Sequence, residues 1–397
     1  MKRVCAIAGL ALRNALRSRV VLVLLALLLV AILALPLTIK DDGTLASRVQ
    51  VLLRYTLGAV KIILSIATLW AGCAAVSTEV QGRQIDLIVT KPVRAIELWL
   101  GKWLGLMTLN AVLLGIAGGV TYGLLWWDLR TQRDNPQLHE EILVARRVVL
   151  PEPSPSYAVP PGLALRLTFR LPALPAPERP LILRYKFASS LPDKDPVACV
   201  FLAGAVERPD RFSREEWSAP GGVHTVTIPR ALLAGDRTLT LDILNINPVP
   251  QTMVFDPRDG LELLTYAGTF TGNFLRALAV VWAGLGFLAA LGVTLGSLFS
   301  LPVAALGAGY GVLLTNIGSY LHYLTGRESW LHGIYVALYW VTKPFQLPDP
   351  LEKLATGELV SWWCVGSVLL WQVLVCGGVL AAAGAWFFNR REWGTAT

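Results

Sequence analysis

Charge is what this chain has least of. Asp, Glu, Lys and Arg make up 16% of its 397 residues, against about 25% in an ordinary soluble domain. The five cysteines, Cys5, Cys73, Cys199, Cys364 and Cys376, stand at no metal-ligand spacing, so neither a disulfide framework nor a metal centre is expected. The four histidines, His139, His224, His322 and His332, are scattered, which argues the same way. Catalytic signatures are missing too. There is no GxxxxGK[ST] phosphate loop, because Gly101-Lys102 lacks the upstream glycine and the following hydroxyl, and there is no HExxH or GxSxG. Glu215 and Glu216 are sequence neighbours whose carboxylates would not converge, and a solvated loop is the expectation there. The reading is of a protein with no catalytic residues, no cofactor and no metal. The net charge of +8 is not gathered on one soluble patch with interleaved aromatics, which excludes a nucleic-acid partner.

What is present is apolar sequence in long runs: 54% of residues are hydrophobic, and mean hydropathy is +0.55. Residues 1–19 carry Lys2, Arg13 and Arg17 on one helical face and Val4, Ile7, Ala8, Ala11 and Ala15 on the other, the pattern of an amphipathic helix lying in the membrane interface. Spans are then expected at Val20–Ile39, Leu57–Val76, Leu104–Leu125, Leu275–Leu298, Val303–Tyr323 and Leu359–Phe388. An outer loop is expected over Lys40–Thr56, and Lys61 should snorkel to the interface. Tryptophans 103, 126, 127, 330, 340, 362, 363 and 386 sit where an aromatic belt belongs. Five basic and no acidic residues precede the first span, putting the N-terminus in the cytoplasm, and six spans ending at Asn389-Arg390-Arg391-Glu392 put the C-terminus there too. Residues 326–358, broken by Pro344, Pro348 and Pro350, read as a re-entrant segment on the outer side.

Residues 128–266 are of another kind. Prolines cluster between Pro151 and Pro180, followed by short alternating runs at Leu163–Arg170, Leu181–Phe187, Ala198–Ala205, His224–Ile228, Leu239–Ile246 and Met253–Phe255. Such runs predict an all-β sandwich inserted between spans three and four, on the extracytoplasmic side by span parity. The phrase HTVTIPRALLAGDRTLTLDILN resembles the paired strands of jelly-roll modules.

Between spans two and three lies the most informative stretch, STEVQGRQIDLIVTKPVRAIELWLGKWLG, residues 77–105. A loop so short and so charged cannot sit in hydrocarbon and belongs at a membrane surface. Gly82 and Pro92 bracket one or two helical turns, to which Ile85, Leu87, Ile88 and Val89 give an apolar side. Arg83, Lys91 and Arg94 can meet lipid phosphates or a partner's acids. An acid, a glycine three residues on, an apolar pair, a proline, an arginine and a later Gly-Lys resemble the cytoplasmic loop of type-2 ATP-binding-cassette (ABC) transporter permeases, most closely the multi-copper-enzyme-maturation group. The C-terminal Phe388, Arg390, Arg391 and Glu392 are similar to that family's ending. The resemblance implies a permease subunit, an exporter, that docks a separate ATPase subunit through a coupling helix within residues 77–102. It assigns that coupling to Glu79, Gly82, Arg83, Leu87, Ile88, Pro92, Arg94 and Lys102. It further implies a homodimer or a sister permease as partner, in contact with membrane lipid. The large insert departs from the family's minimal pattern. A membrane-anchored protein whose β-sandwich binds an envelope glycan is the alternative.

Overall fold

The computed structural model describes residues 2–17, 19–38, 45–81, 94–132, 143–172, 180–191, 195–204, 211–233, 237–257, 259–310, 313, 332–334, 336–337 and 349–390. They divide into a helical unit (residues 1–135, 271–356 and 360–397) and a β unit (136–270 with 357–359).

The helical unit contains α1 (Lys2–Arg17), α2 (Arg19–Thr38), α3 (Leu45–Gln81), α4 (Ala95–Asp128), α5 (Phe270–Leu298), α6 (Leu301–Tyr310), α7 (Pro350–Ala355), α8 (Trp362–Val368), a π-helical turn (Leu369–Cys376) and α9 (Gly377–Arg390). Among the described residues, four stretches are long and apolar enough to cross a membrane: Ser47–Glu79, Ala95–Asp128, Phe270–Leu298 and Trp362–Phe387. They coincide with the expected second, third, fourth and sixth spans. The expected first span falls on α2, whose apolar part, Val20–Pro36, is shorter. Most of the expected fifth, and residues 326–331, 335 and 338–348 of the expected re-entrant segment, lie outside the described residues.

Three expectations are corrected here. The outer loop over 40–56 is helical from Leu45 on, because Val49, Leu52 and Leu53 recur on one helical face and are buried. The apolar side of α1 does not simply face lipid: Val4, Ile7, Ala8 and Ala11 pack on α4 at Gly101 and Gly105. A Cβ on Gly101 would lie 2.6 Å from Ile7 Cγ2, and one on Gly105 2.9 Å from Ala11 Cβ, so only glycine permits this approach. Trp103 does more than stand at a border: half-buried, it donates its indole N–H to Gly286 O at 2.8 Å and stacks its ring on Trp99.

Helices α4 and α5 run antiparallel along their length. Trp99 meets Thr294, Trp282 bonds Met107 O, Gly118 touches Leu278, and Tyr122 packs on Phe274. Helices α3 and α5 are parallel and cross backbone to backbone, where a Cβ on Gly296 would stand 2.4 Å from Cys73 O. The last helix also runs parallel to α5: Val373 lies by Gly286, Gly377 by Ala290, and Leu380 O accepts from Thr294 Oγ1.

The β unit comprises β1 (Val144–Val149), β2 (Ala158–Val159), β3 (Ala164–Arg170), β4 (Leu181–Tyr185), β5 (Phe187–Ser189), β6 (Val197–Ala203), β7 (Phe212–Ser218), β8 (His224–Ile228), β9 (Thr238–Asn245), β10 (Met253–Phe255) and β11 (Leu261–Thr269). Two four-stranded antiparallel sheets, β1-β11-β4-β8 and β3-β9-β6-β7, send alternate residues into one core that includes Phe169, Tyr185, Phe201, Ile243 and Leu263. A three-stranded sheet, β2-β10-β5, completes the unit. In chain order the eight strands of the larger sheets change layer at every step except β6 to β7, which gives the strand orders of a double Greek key, a jelly-roll topology. Strands β8 and β9 lie in opposite layers rather than pairing with each other; β8 pairs with β4, and β9 with β3 and β6. The Glu215-Glu216 segment is strand β7 and not a loop. Its side chains point to opposite faces, Glu216 to Arg214 at 2.6 Å and Glu215 to Trp217 Nε1 at 3.1 Å. The unit extends to Phe270, beyond the expected boundary at 266, and is not a contiguous insert. Residues 357–359 return to the edge of β1, where Gly357 O accepts from Arg146 N at 2.8 Å and Leu359 N donates to Arg146 O at 2.7 Å. Gly357, at φ +73°, supplies the left-handed turn that this return requires. Glu358, expected in the outer re-entrant segment, instead pairs with Arg184 of β4.

Candidate functional site

The stretch singled out by sequence spans the end of α3 and the start of α4. Of its expected coupling residues, Glu79, Arg94 and Lys102 are described; Gly82, Arg83, Leu87, Ile88 and Pro92 lie outside the described residues.

Two of the three come together. Lys102 Nζ lies 2.5 Å from Glu79 Oε2 and also donates to Ala75 O. Lys102 has a side chain only 5% exposed, and Glu79 one 31% exposed. An ammonium so far from water needs a carboxylate and carbonyls as partners, and the end of α3 supplies both. The pair ties the last turn of α3 to the second turn of α4, on either side of residues 82–93.

Arg94 is the N-cap of α4 and is exposed. Its backbone N–H donates to Glu97 Oε2 at 3.1 Å, the reciprocal half of a capping box. Glu97 also lies 3.9 Å from Arg3 Nη1 on α1, an exposed pair worth little by itself.

Sequence reasoning did not find the layer beneath. Trp99 is buried; its indole N–H donates to Thr294 Oγ1 at 3.1 Å, and that hydroxyl donates to Leu380 O at 3.0 Å. A Cβ on Gly384 would stand 3.0 Å from the Trp99 ring. This relay joins α4, α5 and α9 directly under the Glu79–Lys102 pair, with Val76, Ala289, Ala290 and Val293 packed around it. The spacing carried the signal: Trp99 and Trp103 share one face of α4, while Gly101 and Gly105 share another. A small cleft lined by Val76, Ala95, Leu98, Trp99, Lys102, Ser297 and Gly384 opens among these helices.

The Glu79–Lys102 pair thus links α3 to α4, the glycine notch links α1 to α4, and Trp99 links α4 to α5 and α9. Deeper in the same bundle, Thr68 Oγ1 donates to Asn110 Oδ1 at 3.0 Å, a buried polar link between α3 and α4.

No family model matches this chain, and no curated protein matches it either.

Proposed function

We propose that this chain is the membrane subunit of an ABC exporter of the type-2 permease kind. It is not itself an enzyme, and it is driven by ATP hydrolysed on a separate ATPase subunit that docks on residues 82–93. The observation that carries the reading is the Glu79–Lys102 pair: two positions of the family-like motif, 23 residues apart in sequence, meet in a buried contact that fixes the base of the loop. A lever needs a stiff fulcrum, and the tight crossings of α1 on α4 and of α3 on α5 supply it.

Six spans with both termini in the cytoplasm of the bacterial plasma membrane belong to the same proposal. Parallel packing of α5 and the last helix supports the count, since two parallel crossings require a return crossing between residues 298 and 362. On this reading the jelly roll is extracytoplasmic, the chain works as a homodimer or beside a sister permease, and nucleic acid plays no part. Charge reversal at Arg83 and Arg94 tests it. ATPase stimulation and transport by the reconstituted complex should fall at least about tenfold while the helices keep their unfolding temperature. Undiminished stimulation would overturn the coupling role.

A second reading has one observation in its favour: Trp217 on edge strand β7 is 59% exposed, with its indole N–H held by Glu215. A fixed, exposed ring of this kind suits stacking on a sugar. Glycan binding by the intact protein, with no ATPase co-purifying, would favour a membrane-anchored glycan receptor.

A further inference from the structure

We propose that a second site, around Lys61 of α3, holds the headgroup of a net-negative phospholipid. The inference needs only that α3 crosses a membrane, and is independent of whether residues 82–93 meet an ATPase.

A narrow cleft opens between α3 and α5. Its walls are Val280, Gly284, Leu285 and Leu288, and its polar lining includes Lys61 and Ser65. The Ser65 hydroxyl donates to Lys61 O at 2.7 Å, so it has no proton to offer a ligand. The ammonium does. Lys61 Nζ lies 3.3 Å from Asp349 Oδ1, the N-cap residue of α7. That is longer than the roughly 2.7–2.9 Å of a tight charge-assisted bond. Asp349 divides its attention, since the same oxygen accepts from Leu351 N at 3.3 Å and the side chain is 56% exposed. An ammonium has three N–H donors, and Asp349 engages one of them.

Depth points to the occupant. Lys61 precedes Glu79 by 18 residues on one continuous helix, a rise of about 27 Å. The hydrocarbon core is about 30 Å thick. With the Glu79–Lys102 pair taken as one boundary, the Lys61 backbone lies just inside the other, and its long side chain reaches the phospholipid phosphates by snorkelling. A cation there, above apolar walls, fits an oxyanion that carries acyl chains. A zwitterionic headgroup brings its own ammonium and satisfies its phosphate itself; a net-negative headgroup does not.

The test uses the full chain in nanodiscs of equimolar phosphatidylglycerol and phosphatidylcholine, with retained lipid counted by native mass spectrometry after detergent transfer. The wild type should retain phosphatidylglycerol preferentially. Lys61→Gln should lower that retention about fivefold, the worth of one basic residue near an anionic surface, and Lys61→Arg should keep it. Asp349→Asn removes the competing carboxylate and should raise it. Equal retention by wild type and Lys61→Gln overturns the proposal. So does a fall in Asp349→Asn, which would mark the pair as a structural tie of α7. Displacement by soluble glycerol phosphate would overturn the lipid as occupant. Should Lys61→Gln fail to fold, Asp349→Asn decides alone: a rise supports the site, and any other result overturns it.

Discussion

Lys102 illustrates how a single side chain can be both a liability and a fastener. Replacing it with Met leaves Glu79 facing an apolar interior, and replacing Glu79 with Gln leaves the ammonium without its counter-charge. Losing one partner of a buried pair costs about 3–5 kcal/mol. Each single substitution should therefore lower the thermal unfolding midpoint of the helical unit sharply, and Lys102→Met with Glu79→Leu should recover much of the loss. Circular dichroism on the purified protein checks both. In the β unit two carboxylates behave oppositely. Burial pushes the Asp242 carboxyl up, but hydrogen bonds and charge from Arg166 and Arg211 outweigh it and hold it below the ordinary range. For Glu262, burial wins over Arg184, helped by repulsion from Glu358 and Asp259, and the carboxyl is raised. Asp242 thus stabilises the fold above the ordinary carboxylate value, and that contribution disappears as pH falls through its lowered one. Glu262 contributes below the ordinary value and loses its contribution as pH rises through its raised one. Stability measured by hydrogen exchange across β9 and β11 should fall in Asp242→Asn most at neutral pH. Glu262→Gln should cost more in acid than at neutrality.

At the scale of elements, the glycines divide into those that touch and those that do not. Gly296→Ala forces a methyl against the Cys73 carbonyl and Gly101→Ala forces one into Ile7, whereas Gly119 and Gly123 have nothing within 4 Å. Overpacking costs about 1–3 kcal/mol, while alanine for glycine in an open helix gains up to about 1 kcal/mol. Gly296→Ala should lower the unfolding midpoint and Gly119→Ala should raise it, in the same thermal assay. Composition could not separate these two sets, because both read as small residues in apolar runs. The strands tell a similar story. Phe169 and Ile243 stand in alternating apolar runs and were legible. Strand β7 reads FSREEWS and β1 reads VARRVV, charged segments whose exposed positions outnumber or interrupt the apolar ones. Strand β11 runs directly into α5 with no turn residue to mark its end. Edge position explains the charge in β7 and β1, and edge position is a tertiary fact.

For the whole molecule, long apolar runs and Pro-rich punctuation were enough to separate a membrane part from a β part. They could not reveal partnerships across sequence: the pairing of Glu79 with Lys102, the docking of α1 on α4, or the return of residues 357–359 to β1. Each depends on which surfaces meet, not on what any one stretch prefers. The return can be tested in the intact chain. Glu358→Ala removes one of the two carboxylates on Arg184 and should raise amide exchange at Val144–Val149 while leaving β6 and β9 protected. Unaltered exchange at β1 would mean that the backbone bonds of Gly357 and Leu359 suffice. The same feature bears on how the jelly roll can be isolated. A recombinant piece cut at 136 and 270 would omit Gly357–Leu359 and leave the rim of β1 bare. Such a rim recruits other copies edge to edge, so the excised piece should aggregate unless those three residues are grafted back through a short linker.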